Sequence, residues 1–308
     1  MALAPERVRG IVVPMITPLE DDGVTVSERG VEALVEFLVG QGVHAIFVAG
    51  TTGEAAALTD TQWARLVAET HRALRGRLPL LAGVLGPTTA HAAARARQAA
   101  DLGADAVVAT APYYYPPDPD ELLRHFRAVL EATTLPVLLY NIPQTTKVDL
   151  PLAVCRELAA DSRVIGLKDS WGDVTRFRRW TAVLRGGGRD FRMLLGTDLL
   201  TDVAVLVGAQ GTVPSLGNIA GRHLVAVFDA AAAGDWTSAA RLQATVADLT
   251  RVYDTGVGGP QSGIIAGLKG ALTLLGIPAG PPAPPVRPVD RTGMQRVEAV
   301  LREAGLLE

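Results

Sequence analysis

Positive charge in this chain is carried almost wholly by arginine. Of 29 basic residues only Lys147, Lys168 and Lys269 are lysines. Arginine stays protonated and cannot act as an amine nucleophile, whereas a lysine that burial strips of its proton can. Lys168 is the candidate nucleophile. It follows the strand-like run Val164-Ile165-Gly166-Leu167, so its stem leaves an apolar strand and its amine is partly desolvated, as Schiff-base chemistry requires. The plain alternative is an ion pair with Asp169 or another carboxylate. Lys147 in a polar loop and Lys269 in a C-terminal helical pattern read as solvated or salt-bridged.

Two further groupings bear on that amine. Gly50-Thr51-Thr52-Gly53-Glu54 joins a strand-like run to a helical one, and its backbone N–H groups and hydroxyls suit a small carboxylate or phosphate. It is not a nucleotide P-loop, because no Lys-Ser/Thr follows the glycines. Read alone, such a stretch is more often a capping turn without a ligand. Tyr140 ends the run Val137–Tyr140, where its hydroxyl can shuttle a proton to a lysine on the next strand, about 4.8 Å away; an amphipathic rim tyrosine is the plain alternative. Tyr113-Tyr114-Tyr115 lies among Pro112, Pro116 and Pro117, a stiff aromatic loop suited to walling a pocket or making a subunit contact, and equally to plain loop packing. His44, His71, His91, His125 and His223 form no metal-ligand pair, which disfavours a metal-dependent aldolase; each is expected on a helix surface or at a strand start.

These residues need a scaffold. Short Val/Ile/Leu-rich runs recur at Ile11–Ile16, Ala45–Ala49, Leu80–Gly83, Ala106–Thr110, Val137–Tyr140, Val164–Leu167, Met193–Leu195 and Gly211–Val213. Helical patterns separate them, at Glu28–Leu38, Thr61–Leu74, Ala90–Leu102, Asp120–Ala132 and Val174–Leu184. Eight strands alternating with helices predict an α/β fold, a closed (β/α)₈ TIM barrel, with an open doubly wound sheet as the competing pattern. Strands then stop. Ala239–Val252, Ile264–Leu275 and Thr292–Ala304 read as helices, the last two joined by the proline-rich connector Pro278 to Pro288. The expected division is a catalytic barrel over 1–233 and a C-terminal helical domain over 234–308. In a parallel barrel the residues just past the strand ends share one rim. That rim collects Thr17–Pro18, Gly50–Glu54, Pro112–Tyr115, Tyr140–Pro143, Lys168–Ser170, Gly196-Thr197-Asp198 and Pro214-Ser215.

Composition narrows the function. With 48% hydrophobic and 20% charged residues, 308 residues bury a large core. A net charge of −3 gives no footprint for nucleic acid. No apolar stretch approaches the roughly 18 residues of a membrane span, and the N-terminus does not read as a signal peptide. The single cysteine, Cys155, reads as a buried small side chain and excludes an intrachain disulfide. A cytoplasmic enzyme is expected.

Taken together, GTTGE at 50–54, PYYYPP at 112–117, YNIP at 140–143 and GLKDS at 166–170 resemble the dihydrodipicolinate synthase/N-acetylneuraminate lyase family in order and spacing, over nearly the whole chain. The resemblance implies a Schiff-base reaction between pyruvate, or another 2-keto acid, and an aldehyde, with no metal or organic cofactor. It makes Lys168 the Schiff-base lysine and Tyr140 the general acid/base. Thr51 and Thr52, with Gly53, become the carboxylate turn, Thr51 also serving the proton relay. Tyr114 becomes the tyrosine that reaches a neighbouring subunit's site, implying a homo-oligomer, commonly a dimer of dimers. Val213 and Gly196 would line the keto-acid pocket. The chain departs from the synthase where that enzyme has an arginine five residues after the tyrosine; here stands Thr145, with Lys147 a displaced substitute. Pro87, His91, Asp60 and Trp63 replace the residues of its lysine-feedback site, so lysine inhibition is not expected. APYYYP, GLKD and the hydroxyls of Thr145 and Thr146 resemble instead the 2-keto-3-deoxy sugar-acid aldolases. The synthase is the alternative within the same chemistry, a hydratase or dehydratase using the same iminium is another, and a non-catalytic ligand-binding barrel is the reading from a different class.

Overall fold

The computed structural model describes residues 3–307 apart from 187 and 189. Eight parallel strands close into a barrel in sequence order: β1 (Gly10–Pro14), β2 (Ala45–Val48), β3 (Leu80–Gly83), β4 (Ala106–Thr110), β5 (Val137–Asn141), β6 (Val164–Asp169), β7 (Arg192–Leu195) and β8 (Gly211–Thr212). Every strand residue is buried, which is why the strands read as continuous apolar runs rather than alternating ones. The ring closes where β1 meets β8. There a Cβ on Gly211 would lie 2.2 Å from the carbonyl oxygen of Gly10, so only glycine lets the two backbones approach.

The surrounding helices are α1 (Glu28–Gly40), α2 (Asp60–Leu74), α3 (Thr89–Asp101), α4 (Pro119–Ala132), α5 (Pro143–Thr146), α6 (Leu152–Leu158), α7 (Val174–Arg185), α8 (Thr201–Leu206) and α9 (Gly217–Ala232). Their starts are written in the sequence. Ser27, Thr59, Thr88, Asp118 and Asp173 each accept a backbone N–H of the following turn, and Thr59 with Gln62 and Asp118 with Glu121 form full capping boxes. Each such cap is worth about 1 kcal/mol.

Beyond the barrel lie α10 (Trp236–Leu249), a 3₁₀ turn (Thr250–Tyr253), α11 (Pro260–Leu274) and α12 (Arg291–Glu303). α10 packs along α9, and α11 lies against both the 3₁₀ turn and α12. Val246, Leu268 and Leu301 belong to the same hydrophobic cluster as the barrel residues. Among the described residues no helix is long and apolar enough to cross a membrane.

Several local expectations differ from the structure. The helix expected to run to Val252 ends at Leu249 and tightens into the 3₁₀ turn. β6 runs on through Lys168 and Asp169, because both pair with β5 and with β7. GTTGE does not cap a helix: residues 51–57 curl as a turn of their own, and α2 starts later on the Thr59 cap. His125 is not on a surface. It is buried on α4, with Nε2–H directed at the Thr110 carbonyl and Nδ1 facing the Thr89 hydroxyl.

Candidate active site

Tyr140 and Lys168 are Cα partners in the β5–β6 register, so they point the same way into the barrel mouth. Lys168 is only 4% exposed, and its Nζ sits 3.9 Å from the centroid of the Tyr140 ring and 5.1 Å from that of Phe47. Among the described residues it makes no ion pair. Asp169, its neighbour, faces the other way: its Oδ1 accepts from Asn141 Nδ2 at 2.9 Å and from the Trp171 N–H. Desolvation pushes the Asp169 carboxyl up, against the Asn141 hydrogen bond. The Lys168 amine is thus packed among aromatic faces and, among the described residues, left without an ion-paired carboxylate.

The hydroxyl of Tyr140 lies 3.3 Å from Thr51 Oγ1, which ties the β5 end to the turn after β2. That turn is pinned on both sides, with Thr17 Oγ1 donating to the Gly53 carbonyl at 2.6 Å and Thr52 Oγ1 bonded to Ser215 Oγ at 2.9 Å. Gly53 is a support rather than a wall: a Cβ there would lie 2.7 Å from the Met15 carbonyl oxygen. Among the described residues the backbone N–H groups of Thr51 and Thr52 find no acceptor. Two free N–H donors beside hydroxyls form a cradle for an anionic oxygen.

Around these groups lies a cavity of about 310 Å³ lined by Thr51, Thr52, Tyr140, Thr145, Lys168, Gly196 and Val213, with Ser170, Asp198 and Ser215. Gly196 is required by space. A Cβ at that position would stand 1.9 Å from Ser170 Oγ and 3.2 Å from Lys168 Cε. Of the remaining expected residues, Thr145 reaches the wall, whereas Thr146 is buried with its hydroxyl turned to the Ile142 and Val148 carbonyls. Lys147 lies outside the lining and donates to the Gln144 carbonyl at 2.8 Å. Tyr114 does not enter its own chain's cavity. It is 83% exposed at φ +88°, edge-on to the equally exposed Tyr115.

The structure gives roles that the sequence reading did not assign, to a residue of the expected rim and to two from outside it. Asp198, past β7, accepts from the Leu216 N–H at 2.8 Å and from the Tyr253 hydroxyl at 2.9 Å. Desolvation pushes its carboxyl up, while those bonds and the nearby Lys168 amine pull it down. Gln261 and Ile264 on α11 complete the lining. A side-by-side apolar cavity of about 260 Å³ shares Thr51, Ile142, Thr145 and Gln261 and is bounded by Ala56, Leu85, Tyr113 and Val286. Cys155 is buried, and burial pushes its thiol up to about 12, so it is no nucleophile.

A buried amine against a tyrosine that touches a threonine, beside an open anion cradle, is the equipment of a class I lyase. Comparison with known proteins agrees. Residues 7–304 match the dihydrodipicolinate synthetase family. The 4-hydroxy-tetrahydrodipicolinate synthase of Moorella thermoacetica is 34% identical over 298 residues, covering 96% of this chain and 98% of the relative. An uncharacterized DapA-like lyase of Thermofilum pendens is 32% identical over 302 residues, covering 97% and 98%. The solved structure of YagE, a prophage protein of the dihydrodipicolinic acid synthase family from E. coli K12 in complex with pyruvate, matches with a TM-score of 0.91 at 28% identity, covering 97% of this chain and 99% of that one. The chain belongs to the dihydrodipicolinate synthetase family and is an enzyme, a lyase of the class that family comprises. That sets aside the non-catalytic barrel.

Proposed function

We propose that the protein is a Schiff-base aldolase that acts on pyruvate or a close 2-keto acid and joins it to, or cleaves it from, a hydroxylated aldehyde, as a 2-keto-3-deoxy sugar-acid aldolase does. The observation that carries the reading is the unpaired, buried Lys168 amine 3.9 Å from the Tyr140 ring, whose hydroxyl meets Thr51. In this account Lys168 Nζ attacks the keto carbon, and Tyr140 with Thr51 passes the proton that lets the carbinolamine lose water. The free N–H groups of Thr51 and Thr52 hold the keto-acid carboxylate in place. In the cleavage direction Tyr140 takes the proton of the C4 hydroxyl, the C3–C4 bond breaks, and its electron pair enters the iminium to give an enamine. Reprotonation at C3 and hydrolysis return pyruvate and the free lysine. No step calls for a metal or an organic cofactor.

The choice of acceptor rests on charge. Lys168 is the one cation among the described residues lining the cavity, and Asp198 adds a carboxylate beside it. A second carboxylate, as on aspartate semialdehyde, therefore meets no bidentate partner. Thr145, Thr197, Ser215 and Gln261 offer neutral hydrogen bonds to hydroxyls instead. The synthase reading is kept because the Moorella relative carries that name. A panel of acceptors with pyruvate separates them: turnover with glyceraldehyde or a longer sugar aldehyde and little with aspartate semialdehyde is expected, and the reverse order overturns the assignment.

The exposed Tyr114 and the apolar cavity beside Thr51 support an oligomer, a dimer of dimers, in which Tyr114 enters a neighbour's site. Tyr114→Ala is then expected to loosen the assembly in sedimentation and to slow turnover; an unchanged assembly and rate refutes this. We also propose that residues 234–308 form a helical domain serving a catalytic barrel over 1–233, in a cytoplasmic enzyme without nucleic-acid or membrane partners.

A further inference from the structure

Glu54 and Lys269 lie outside the nucleophile's cavity, yet they join the two parts of the chain that shape it. Glu54 sits three residues after Thr51 in a left-handed conformation, φ +62°, which a non-glycine residue holds only when its surroundings enforce it. Both carboxylate oxygens are engaged by the C-terminal region. Oε1 accepts from the Ala283 N–H at 2.6 Å, and Oε2 lies 2.9 Å from Lys269 Nζ. Oε2 has no well-aligned hydrogen-bond donor, so the ion pair is its compensation. Lys269 Nζ donates in turn to the Pro281 carbonyl at 2.7 Å. Both side chains are 2% exposed.

A buried ion pair is a poor source of stability, since apolar residues of equal volume often do as well. What it supplies is direction: two charges in one low-dielectric place fix the separation of the elements that carry them. Here those elements are the anion-cradle turn and α11. α11 also lends Gln261 and Ile264 to the cavity wall. The other side-chain ties of the turn, Thr17 to Gly53, Thr51 to Tyr140 and Thr52 to Ser215, are neutral and come from the barrel itself.

We propose that Glu54 and Lys269 are positioning residues through which the C-terminal helices aim the Thr51–Thr52 turn, and so set the affinity for the keto-acid carboxylate. The inference rests on the Schiff-base reading of the site. The pair acts before chemistry: it orders the N–H groups that receive the carboxylate, while the relay is held from the barrel side by the 3.3 Å contact of Thr51 Oγ1 with the Tyr140 hydroxyl, so attack by Lys168 and proton transfer change little.

The test is borohydride trapping of pyruvate on the full-length protein, read as the half-saturating pyruvate concentration and the limiting trapping rate. The double variant Glu54→Gln/Lys269→Met removes both charges and keeps an oxygen for the Ala283 N–H. Its half-saturating pyruvate is expected to rise about tenfold or more, because misplacement on the order of 1 Å costs up to 10²-fold, while the limiting rate stays within about threefold. Val297→Ala, a buried change on α12, is the control: it lowers Tm and leaves half-saturation where it was. An unchanged half-saturation in the folded double variant overturns the proposal. Should the double variant not fold, Glu54→Asp keeps the charge and shortens its reach, and an unshifted half-saturation there overturns it equally. A wild type that traps no pyruvate overturns the Schiff-base reading itself, and the proposal with it.

Discussion

Replacing Tyr140 by phenylalanine removes one oxygen and leaves the ring against Lys168 Nζ. The lost group is the hydroxyl 3.3 Å from Thr51 Oγ1, a part-buried contact whose net worth to folding is about 0.5–1.5 kcal/mol. Stability should therefore change little. Catalysis should not. A positioned general acid/base contributes roughly 10²–10⁴-fold, or about 2.7–5.4 kcal/mol of barrier. The most direct assay needs no second substrate. Pyruvate bound as an iminium loses a C3 proton to form an enamine, so in D₂O its methyl signal is exchanged at a rate readable by proton NMR. Tyr140→Phe should slow that exchange by at least about 10²-fold while Tm stays near that of the wild type. Exchange within about threefold of the wild type, in a folded variant, refutes the relay and moves the proton transfer to another group.

Three further outcomes follow from the geometry. Gly196→Ala drives a Cβ to 1.9 Å from Ser170 Oγ and 3.2 Å from Lys168 Cε, so trapping on Lys168 should slow at least about tenfold, with overpacking of roughly 1–3 kcal/mol measured by urea unfolding; normal trapping would mean the strand ends yield freely. Thr52→Val deletes the bond to Ser215 Oγ at 2.9 Å, worth about 0.5–1.5 kcal/mol, and should raise half-saturating pyruvate roughly two- to tenfold with the limiting rate preserved. Burial lowers the His125 pKa to about 4 against the pull of the Thr110 carbonyl, so the unfolded chain binds the extra proton first. Its contribution is complete above about pH 6.5, declines as pH falls toward 4, and amounts to roughly 3 kcal/mol; His125→Gln should flatten that slope in urea titrations between pH 4 and 6.5.

The barrel is legible in the sequence because its strands, buried on both faces, had to be short apolar runs, and because caps such as Thr59 and Asp118 announce the helices. Legibility fails where small residues do the work. β8, expected at Gly211–Val213, is present but only two residues long, Gly211–Thr212, whereas α9, which opens on Gly217-Asn218 with a kink at Ala220, carries no clear period and is not among the expected helices. Lys168 and Tyr140 stand out by type and place, since a strand end in a parallel barrel has one address. Asp198 shares that rim, but its role does not show there, because it depends on Tyr253, 55 residues away. Gln261 and Ile264 reach the mouth only through the packing of α11, and the Glu54–Lys269 pair joins residues from opposite ends of the chain. His125 and Thr146 were misplaced for the same reason: the partners that consume their polar atoms are set by tertiary packing or a short turn, not by pattern. The cradle offered by the Thr51 and Thr52 N–H groups was legible in kind, though it sits in a self-contained turn rather than at a helix start.

The central claim is that Lys168 forms an iminium with pyruvate. Incubation with pyruvate and borohydride, intact-mass analysis and peptide mapping test it in one experiment. The account predicts a single reduced pyruvyl adduct per chain, located on Lys168 and absent from a folded Lys168→Arg variant. No adduct on the folded wild type, or an adduct that persists elsewhere when Lys168 is replaced, would contradict it.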